Sequence, residues 1–528
     1  MRNNEAWVSD QSDSTYMNPV LHADYSDPDV IRVGDDFYMT ASSFGHIPGL
    51  PILHSKDLVN WQLINHALPR MMLPGYDTPQ HGNGVWAPSI RFHSGKYWIF
   101  WGDPDVGIFR VTAEDPASEW TAPHLVQEGK GLIDPCPFWD EDGEAYLVHA
   151  YARSRAGIKH LLRLHRMAPD GSRLLDEGSI IFDGTERHPT TEGPKMYKRN
   201  GYYYIFAPAG GVATGWQLIL RSKSIYGPYE EKIVLHQGNT AVNGPHQGGW
   251  VELESGESWF MHFQDKGPYG RIVHLQPVRW EDDWPLMGVD TNMDGIGEPV
   301  DRYKKPNTGT VSPPLTPATT DLFDGEQLGL QWQWQANPGK GWAELLRSPN
   351  RLRLHAFTIE APTLYNAPQL LLQKFPALEF TATADLDAGG LAVGDAAGLI
   401  ILGYSYAYLG VRRDRNGFVL YTAIGNAKEE KTLWESPLDH GAVSLRVTVR
   451  DFALCSFSYR TDPAGEAYLD VPAEPFTARE GHWVGAKVGL FSVRTGASFS
   501  SEASVEPAAS APSGGFADFF AFKVEGRS

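Results

Sequence analysis

The sequence is poor in cysteine, in long apolar runs and in positive charge. Only two of its 528 residues are cysteine, Cys136 and Cys455. Their wide separation excludes a disulfide framework and a cysteine-based metal cluster. No stretch reaches the ~20 apolar residues that a membrane-spanning helix needs. The 64 acidic and 45 basic side chains give a net charge of −19, which argues against DNA or RNA as a partner.

The N-terminus lacks the apolar core of a secretory signal peptide, because its first 15 residues are polar. As written, the chain is expected to be cytoplasmic and unattached to a membrane, or secreted if a leader has been removed.

Glycine, proline and aromatic residues are abundant instead. Glycine occurs 54 times and proline 38 times, which predicts many turns, and 12% of the residues are aromatic, including 17 tryptophans. The length of 528 residues is roughly three times that of a typical single domain, so two or more domains are expected. These features together predict an all-β protein that handles a neutral, polar ligand.

A short pattern recurs five times within the first 290 residues. Each copy passes from a polar or aromatic residue through an apolar stretch to a glycine turn, and then to an aromatic strand. The turn glycines are Gly34, Gly95, Gly143, Gly201 and Gly256, at intervals of 61, 48, 58 and 55 residues. Each copy is typical of a β-hairpin, and the interval suits a four-stranded blade with its loops. The pattern therefore predicts a five-bladed β-propeller over residues 16–300.

The composition changes after the last repeat. Residues 301–320 are rich in proline and threonine and are predicted to form an extended linker. Residues 321–528 keep alternating strand patterns, as in Lys487–Val493, and are predicted to form a β-sandwich. Within them, residues 498–515 are rich in serine, alanine and proline, which indicates a surface loop before a final strand over Phe516–Val524.

Five residues that open the repeats take equivalent positions when the copies are aligned on their glycines. They are Asp27, Trp86, Asp134, Glu192 and His246. Equivalent positions of successive blades converge around the axis of a propeller, so these side chains should surround one cavity. Crowded carboxylates resist simultaneous ionisation, so at least one of them should have a raised pKa. Separation of an acid from a base in this way is what glycoside hydrolysis requires.

At these residues the sequence resembles glycoside hydrolase family 43, and the resemblance covers essentially the whole predicted propeller. The segments that carry it are Tyr25–Tyr38 (YSDPDVIRVGDDFY), His54–Trp61 (HSKDLVNW), Val85–Ser89 (VWAPS), Ile133–Pro135 (IDP), Thr191–Pro194 (TEGP), and Arg271 before Leu275–Val278 (LQPV). The C-terminal half is similar to the β-sandwich of exo-acting members, which are β-xylosidases and α-L-arabinofuranosidases. The resemblance implies release of α-L-arabinofuranose, β-D-xylose or both from plant hemicellulose oligosaccharides.

The resemblance also implies an inverting mechanism with three acidic residues. Asp27 would be the general base that activates water, and Glu192 the general acid that protonates the leaving oxygen. Asp134 would favour protonation of that acid and hold its orientation. An inverting pair needs ~6.5–9.5 Å between its working carboxyls to admit a water. By chemistry alone Asp134 could be the acid, so the choice of Glu192 comes from the resemblance.

Three further residues match substrate-binding positions of the family, and a fourth departs from the family pattern. Phe44 and Trp86 would pack against the sugar, and Arg271 would donate hydrogen bonds to pentose hydroxyls. His46 stands in a segment where many β-xylosidases have aromatic residues, which implies a changed substrate preference. The segment with His46 looks closer to arabinofuranosidases that have xylosidase side activity.

His246 matches a family histidine on the propeller axis. The resemblance implies either a calcium ion with its waters beside this imidazole or a direct hydrogen bond to substrate. One imidazole is a poor ligand set, because calcium prefers six to eight oxygens, so such an ion would be mostly hydrated. No organic cofactor is expected.

Two alternatives share parts of the pattern. A β-fructosidase has five blades, three acids and a trailing sandwich, but it carries Asn-Asp-Pro-Asn-Gly where this chain has Ser26-Asp-Pro-Asp-Val30. A non-catalytic sugar-binding propeller would keep the aromatic residues and lose the acids, whereas all three acids are present. Hydrolysis of nitrophenyl pentosides and fructosides distinguishes these alternatives.

Overall fold

The computed structural model describes residues 5–359, 363–462, 465, 467–494 and 514–526. In these residues almost all regular structure is β-strand. The α-helix is the single turn Arg153–Ala156, and three 3-10 turns occur at Gly267–Tyr269, Leu364–Asn366 and Asp451–Ala453. None of the described helices is long and apolar enough to cross a membrane.

Residues 29–287 form five four-stranded antiparallel sheets, and the strands of each sheet follow one another in sequence. The first two sheets consist of Asp29–Val33, Asp36–Thr40, Gly49–Ser55 and Trp61–Leu68, and of Trp86–His93, Lys96–Asp103, Gly107–Ala113 and His124–Glu128. The third consists of Leu132–Trp139, Ala145–Tyr151, Leu161–Met167 and Ser179–Asp183. The last two consist of Lys195–Arg199, Tyr202–Ala209, Trp216–Ser222 and Glu230–Leu235, and of His246–Glu252, Ser258–Asp265, Arg271–Glu281 and Trp284–Met287. The predicted five-bladed propeller is confirmed.

The repeated glycines lie in the hairpin between the first and second strands of each blade. Gly34, Gly95, Gly143, Gly201 and Gly256 all have φ between 62° and 87°. Only glycine adopts this left-handed conformation without a steric penalty, which explains why the same residue type recurs at each turn.

The ring of blades is closed by the N-terminal segment. Strand Thr15–Met17 pairs with strand Arg302–Lys304, and we call this pair the clasp. The Tyr16 hydroxyl donates a 2.7 Å hydrogen bond to the Leu275 carbonyl in the fifth blade. The backbones of Leu21 and Val273 also exchange hydrogen bonds. The segment from 15 to 21 therefore holds the first blade against the fifth.

The C-terminal half contains two eight-stranded sheets, which confirms the predicted β-sandwich. One sheet contains Gln333–Trp334, Leu371–Lys374, Lys487–Arg494, Asp395–Leu402, Ser405–Asp414, Gly417–Asn426 and Glu430–Leu438, with Phe357–Thr358 beside Lys487–Arg494. The other contains Ala343–Leu346, Arg351–His355, Phe516–Gly526, Phe380–Asp387, Ala442–Arg450, Leu454–Arg460 and Leu469–Asp470, with Phe476–Thr477 beside Leu454–Arg460. Apolar side chains from both sheets form one continuous core.

The last strand is two residues longer than the predicted Phe516–Val524. Most of the predicted loop over residues 498–515 lies outside the described residues. Residues 305–320 contain neither strand nor helix. The exact domain boundaries at 300 and 320 stay predictions.

The sandwich packs directly on the propeller. The backbones of Ile47 and Trp334 exchange two hydrogen bonds, of 2.6 and 3.0 Å. The Gly485 N–H donates a 2.9 Å hydrogen bond to the carboxylate of Asp24. These contacts bring a loop of the sandwich, residues 478–486, to the face of the propeller where the first strands of the blades begin.

Candidate active site

Asp27, Asp134 and Glu192 line one cavity at the entry to the innermost strands of the propeller. They come from the first, third and fourth blades, so the fold joins residues that lie far apart in the sequence. Phe44, Trp86 and Arg271 line the same cavity, whereas His46 and His246 do not. The structure therefore brings six of the eight predicted site residues to one place.

The Asp27 carboxylate accepts hydrogen bonds from three side chains. The hydroxyls of Ser26 and Ser42 donate to Oδ2 over 2.7 and 2.6 Å. The Arg271 guanidinium donates to Oδ1 over 3.1 Å. The Asp27 side chain is only 8% exposed. These contacts fix the carboxylate in one orientation and pair it with a positive charge.

Asp134 is the most strongly perturbed acid of the cavity. It is buried, and burial raises its pKa well above the usual range. The nearby charge of Glu192 raises it further, whereas a 2.7 Å hydrogen bond from the Gly193 N–H and the charge of Lys195 oppose the change. The prediction that crowding raises at least one carboxyl pKa is confirmed for Asp134, although burial is the larger cause.

Glu192 differs from the other two acids in exposure and in partner. Its side chain is 27% exposed, and its Oε1 lies 3.0 Å from Nε2 of His246. His246 itself is buried and lies behind Glu192. The imidazole therefore orients the carboxyl group, and the predicted contact of His246 with substrate stays a prediction.

Each blade has one residue in the left-handed region where the chain enters its first strand. These residues are Asp27, Ala87, Asp134, Gly193 and Gln247, with φ between 37° and 56°. Asp27 and Asp134 hold the equivalent position, as predicted. In the second, fourth and fifth blades, however, the equivalent residue follows Trp86, Glu192 and His246 by one position. The first strands of the second and fifth blades have register shifts after Trp86 and His246, whereas the first two strands of the fourth blade pair in regular register. Counting back from the turn glycine therefore does not find the equivalent residue in every blade.

Three aromatic side chains form one wall of the cavity. The ring of Trp86 lies 6.4 Å from Phe44 and 6.1 Å from Trp483, in edge-to-face arrangements. Trp483 belongs to the sandwich, is 44% exposed, and was not among the predicted site residues. The sequence signal for it is weak: a His-Trp pair between Gly481 and Gly485 in a loop. The cavity is therefore built by both domains.

His46 lies on the other side of this wall. It is buried and lines a second cavity, between the propeller and the sandwich. The segment after Phe44 turns away from the acids and makes the backbone contact of Ile47 with Trp334. The predicted influence of His46 on substrate preference stays a prediction. The aromatic wall separates His46 from the catalytic cavity, so any such influence would be indirect.

The structure offers little to a calcium ion. The described residues contain no group of three or more His, Cys, Asp or Glu side chains arranged to hold a metal. His246 contributes one buried nitrogen, Nδ1, without a hydrogen-bond partner among the described residues. Because calcium prefers six to eight oxygens, these residues do not form its ligand set by themselves. The calcium ion stays a prediction, and no chemical step is assigned to it.

The raised pKa of Asp134 predicts that Asp134→Asn stabilises the protein at neutral pH. A carboxyl whose pKa is higher in the folded than in the unfolded chain destabilises the fold once the pH exceeds its unfolded value, ~3.9. The variant should melt roughly 2–4 °C higher than wild type at pH 7, and the difference should vanish near pH 4. Thermal unfolding from pH 4 to 8 measures this.

Asp140→Asn is the matched control for that prediction. Although burial opposes it, hydrogen bonds from Lys198 and Tyr203 lower the pKa of Asp140. Its substitution should therefore destabilise the protein at pH 7, the opposite sign. An Asp134→Asn variant that is less stable than wild type at pH 7 would contradict the account.

The comparisons with known proteins agree with this architecture. Residues 16–285 match the family described as glycosyl hydrolases family 43. Residues 320–507 match the beta-xylosidase C-terminal concanavalin A-like domain. These matches favour neither a β-fructosidase nor a non-catalytic propeller.

Individual relatives cover most of the chain. A beta-xylosidase of Formosa agariphila is 32% identical over 92% of this chain and 88% of its own length. The non-reducing end alpha-L-arabinofuranosidase BoGH43B of Bacteroides ovatus is 32% identical over 75% of each chain. The crystal structure of xylan beta-1,4-xylosidase from Bacillus halodurans shares the fold, with a TM-score of 0.83 over 96% of this chain and 99% of that one, at 24% identity.

The propeller match spans half of the sequence, and the structure places the matched acids in one cavity. The protein is therefore an enzyme of the inverting type. The chain belongs to glycosyl hydrolase family 43.

Proposed function

We propose that this enzyme removes terminal β-D-xylose, α-L-arabinofuranose or both from plant hemicellulose oligosaccharides, with inversion at the anomeric carbon. The observation that carries the proposal is the cavity in which carboxyl groups from three blades meet. The names of the relatives support pentosides as substrates, since they include a xylosidase and an arabinofuranosidase.

Asp27 acts as the general base. It takes a proton from the attacking water, whose oxygen bonds to the anomeric carbon as the bond to the leaving oxygen breaks. The donors that surround Asp27 leave its carboxylate few free directions, so the water approaches from the cavity side. Arg271 contacts Asp27 and also lines the cavity, so it can donate to pentose hydroxyls as well.

Glu192 acts as the general acid. It gives its proton to the leaving oxygen, which departs as a hydroxyl of the shortened oligosaccharide. A proton donor must reach a bond that faces the exit of the cavity, and Glu192 is more exposed than Asp27, at 27% against 8% of the side chain. His246 holds the carboxyl group in place from behind.

Asp134 tunes the acid and does not exchange protons with the substrate. It is buried, and its Oδ2 accepts from the N–H of Gly193, the residue after Glu192. The charge of Glu192 raises the pKa of Asp134, so ionisation of both carboxyl groups together is disfavoured and the pair retains a proton that Glu192 can deliver to the leaving oxygen. The backbone hydrogen bond also ties the Asp134 carboxyl group to the chain beside Glu192.

The product profile on xylo-oligosaccharides, arabinoxylan and arabinan tests this function. We expect only xylose, arabinose or both to be released, because an exo-acting enzyme removes one sugar at a time from the chain end. NMR of the first product formed should show the anomer opposite to that of the substrate. Release of longer oligosaccharides, or retention of configuration, would contradict the proposal.

Trp483→Ala tests whether the sandwich completes the sugar site. The substitution removes one aromatic face of the cavity and leaves the three acids untouched, so KM for a nitrophenyl pentoside should rise about tenfold while kcat changes little. Phe452→Ala is the control, because that ring is 82% exposed on the sandwich and does not line the cavity. An unchanged KM in the Trp483 variant would show that the sandwich does not contribute to sugar binding.

A further inference from the structure

The second cavity, between the propeller and the sandwich, has an unusual composition. It adjoins the catalytic cavity, since Gly45 and His482 line it and are the sequence neighbours of Phe44 and Trp483. Three histidines and a lysine are among the residues that line it: His46, His81, His482 and Lys487. The described residues around it include no aspartate or glutamate. Every charge that its lining carries near neutral pH is therefore positive.

Lys487 is buried in an arrangement that opposes folding. It lies directly opposite Lys374 on the neighbouring antiparallel strand, so the two side chains share one face of the sheet. Like charges at such positions repel each other. Lys487 is only 3% exposed, and no hydrogen bond or ion pair of its ammonium group is found within the described part of the chain. By contrast, the ammonium nitrogen of Lys374 lies over an aromatic ring, 5.2 Å from the centre of the Tyr25 ring.

The acid that partly offsets these charges is already engaged elsewhere. The two carboxylate oxygens of Asp24 accept hydrogen bonds from the backbone N–H groups of Arg271 and Gly485, both at 2.9 Å. Burial and the charge of Lys374 lower the pKa of Lys487 to about 7, and Asp24 opposes this change only in part. Two lysines therefore share one carboxylate, which leaves the interface short of negative charge.

We propose that this cavity binds an oxyanion, with the Lys487 ammonium group as its charged partner. A carboxylate or sulfate placed there would supply the missing negative charge. It would also give a partner to Nδ1 of His46, a buried nitrogen with none among the described residues. A buried ammonium without a counter-ion is costly, and an anion in the cavity removes that cost.

The rim of the cavity suits two sources of the same chemistry. The rings of His81 and Tyr365 stack with 4.3 Å between their centroids and give the lining an aromatic surface. A sugar ring that carries a carboxylate could lie on this surface and place its charge toward Lys487. A free inorganic oxyanion could occupy the same position without the stacking contact.

Thermal unfolding of the full chain with sodium sulfate or sodium glucuronate tests the proposal. Ionic strength is held constant with sodium chloride, and xylose serves as the uncharged sugar. Each anion should raise the melting temperature saturably, by about 2–4 °C, because it binds only the folded chain. Lys487→Met should lose the rise. Lys374→Met removes an equal charge from the same face but outside this cavity, and it should keep the rise.

Calorimetric titration of the wild-type protein with sulfate gives an answer that does not depend on any variant. Saturable heat supports the site, and its absence for both anions overturns it, as does a rise that persists in Lys487→Met or is lost in Lys374→Met. Tighter binding of glucuronate than of sulfate identifies an acidic sugar, and the reverse identifies a free oxyanion. Pentoside hydrolysis should be unchanged in Lys487→Met, so this proposal and the proposed function can fail independently.

Discussion

Glu192→Gln is expected to reduce kcat about 10²–10⁴-fold on substrates with a poor leaving group, such as xylobiose. Glutamine keeps the shape of the side chain and can still contact His246, but it has no acidic proton to give. The loss should be much smaller on a dinitrophenyl pentoside, because that leaving group departs without protonation. Steady-state kinetics on the two substrates measure the difference.

Glu186→Gln is the matched control, since Glu186 is exposed and lies on the same connecting segment, outside the catalytic cavity. It should leave both rates unchanged. If Glu192→Gln lost activity equally on both substrates, protonation of the leaving group would not be its task. Among the described lining residues, the acids are Asp27, Asp134 and Glu192. Because Asp27 is the proposed base, Asp134 would then be the candidate acid.

Asp27→Ala is expected to lower kcat by a similar factor, but for good and poor leaving groups alike. The lost step is deprotonation of the attacking water, which every substrate requires. Sodium azide should restore turnover, because azide is a nucleophile that needs no base and can use the space freed by the carboxylate. The product should be a glycosyl azide of inverted configuration, identified by NMR.

Asp35→Asn is the control for this variant, because Asp35 is exposed in the first hairpin of the same blade. It should retain full activity and show no response to azide. An Asp27 variant that azide does not rescue, with a loss that varies with the leaving group, would indicate that Asp27 is not the base.

The elements with a local cause could be predicted from the sequence. The glycines of the five hairpins recur because each turn requires a residue in the left-handed conformation. The recurring glycine is therefore visible in the sequence. The repeat then implies that Asp27 and Asp134 face one axis. A propeller places equivalent positions together, so no long-range contact had to be guessed.

The elements with a long-range cause could not be predicted in the same way. Trp483 reaches the cavity only because the sandwich docks on the propeller, and the residues around Trp483 in the sequence do not predict that contact. Lys487 lies in an ordinary strand pattern, so its burial against the propeller is invisible to periodicity. The one-residue offsets at Trp86 and His246 accompany register shifts in their first strands, which do not change the hydrophobic pattern.

The clasp has a consequence for engineering. The segment that runs from it along the fifth blade ends at Asp27, and the partner of Asp27 across that joint is Arg271 of the fifth blade. The chain that closes the ring therefore leads directly into the base, which the fifth blade also holds through Arg271. A circular permutant that opens the chain between two other blades would leave that piece whole. New ends placed between residues 17 and 27 would instead cut the covalent link between the clasp and the base, even in a ring whose blades are all intact.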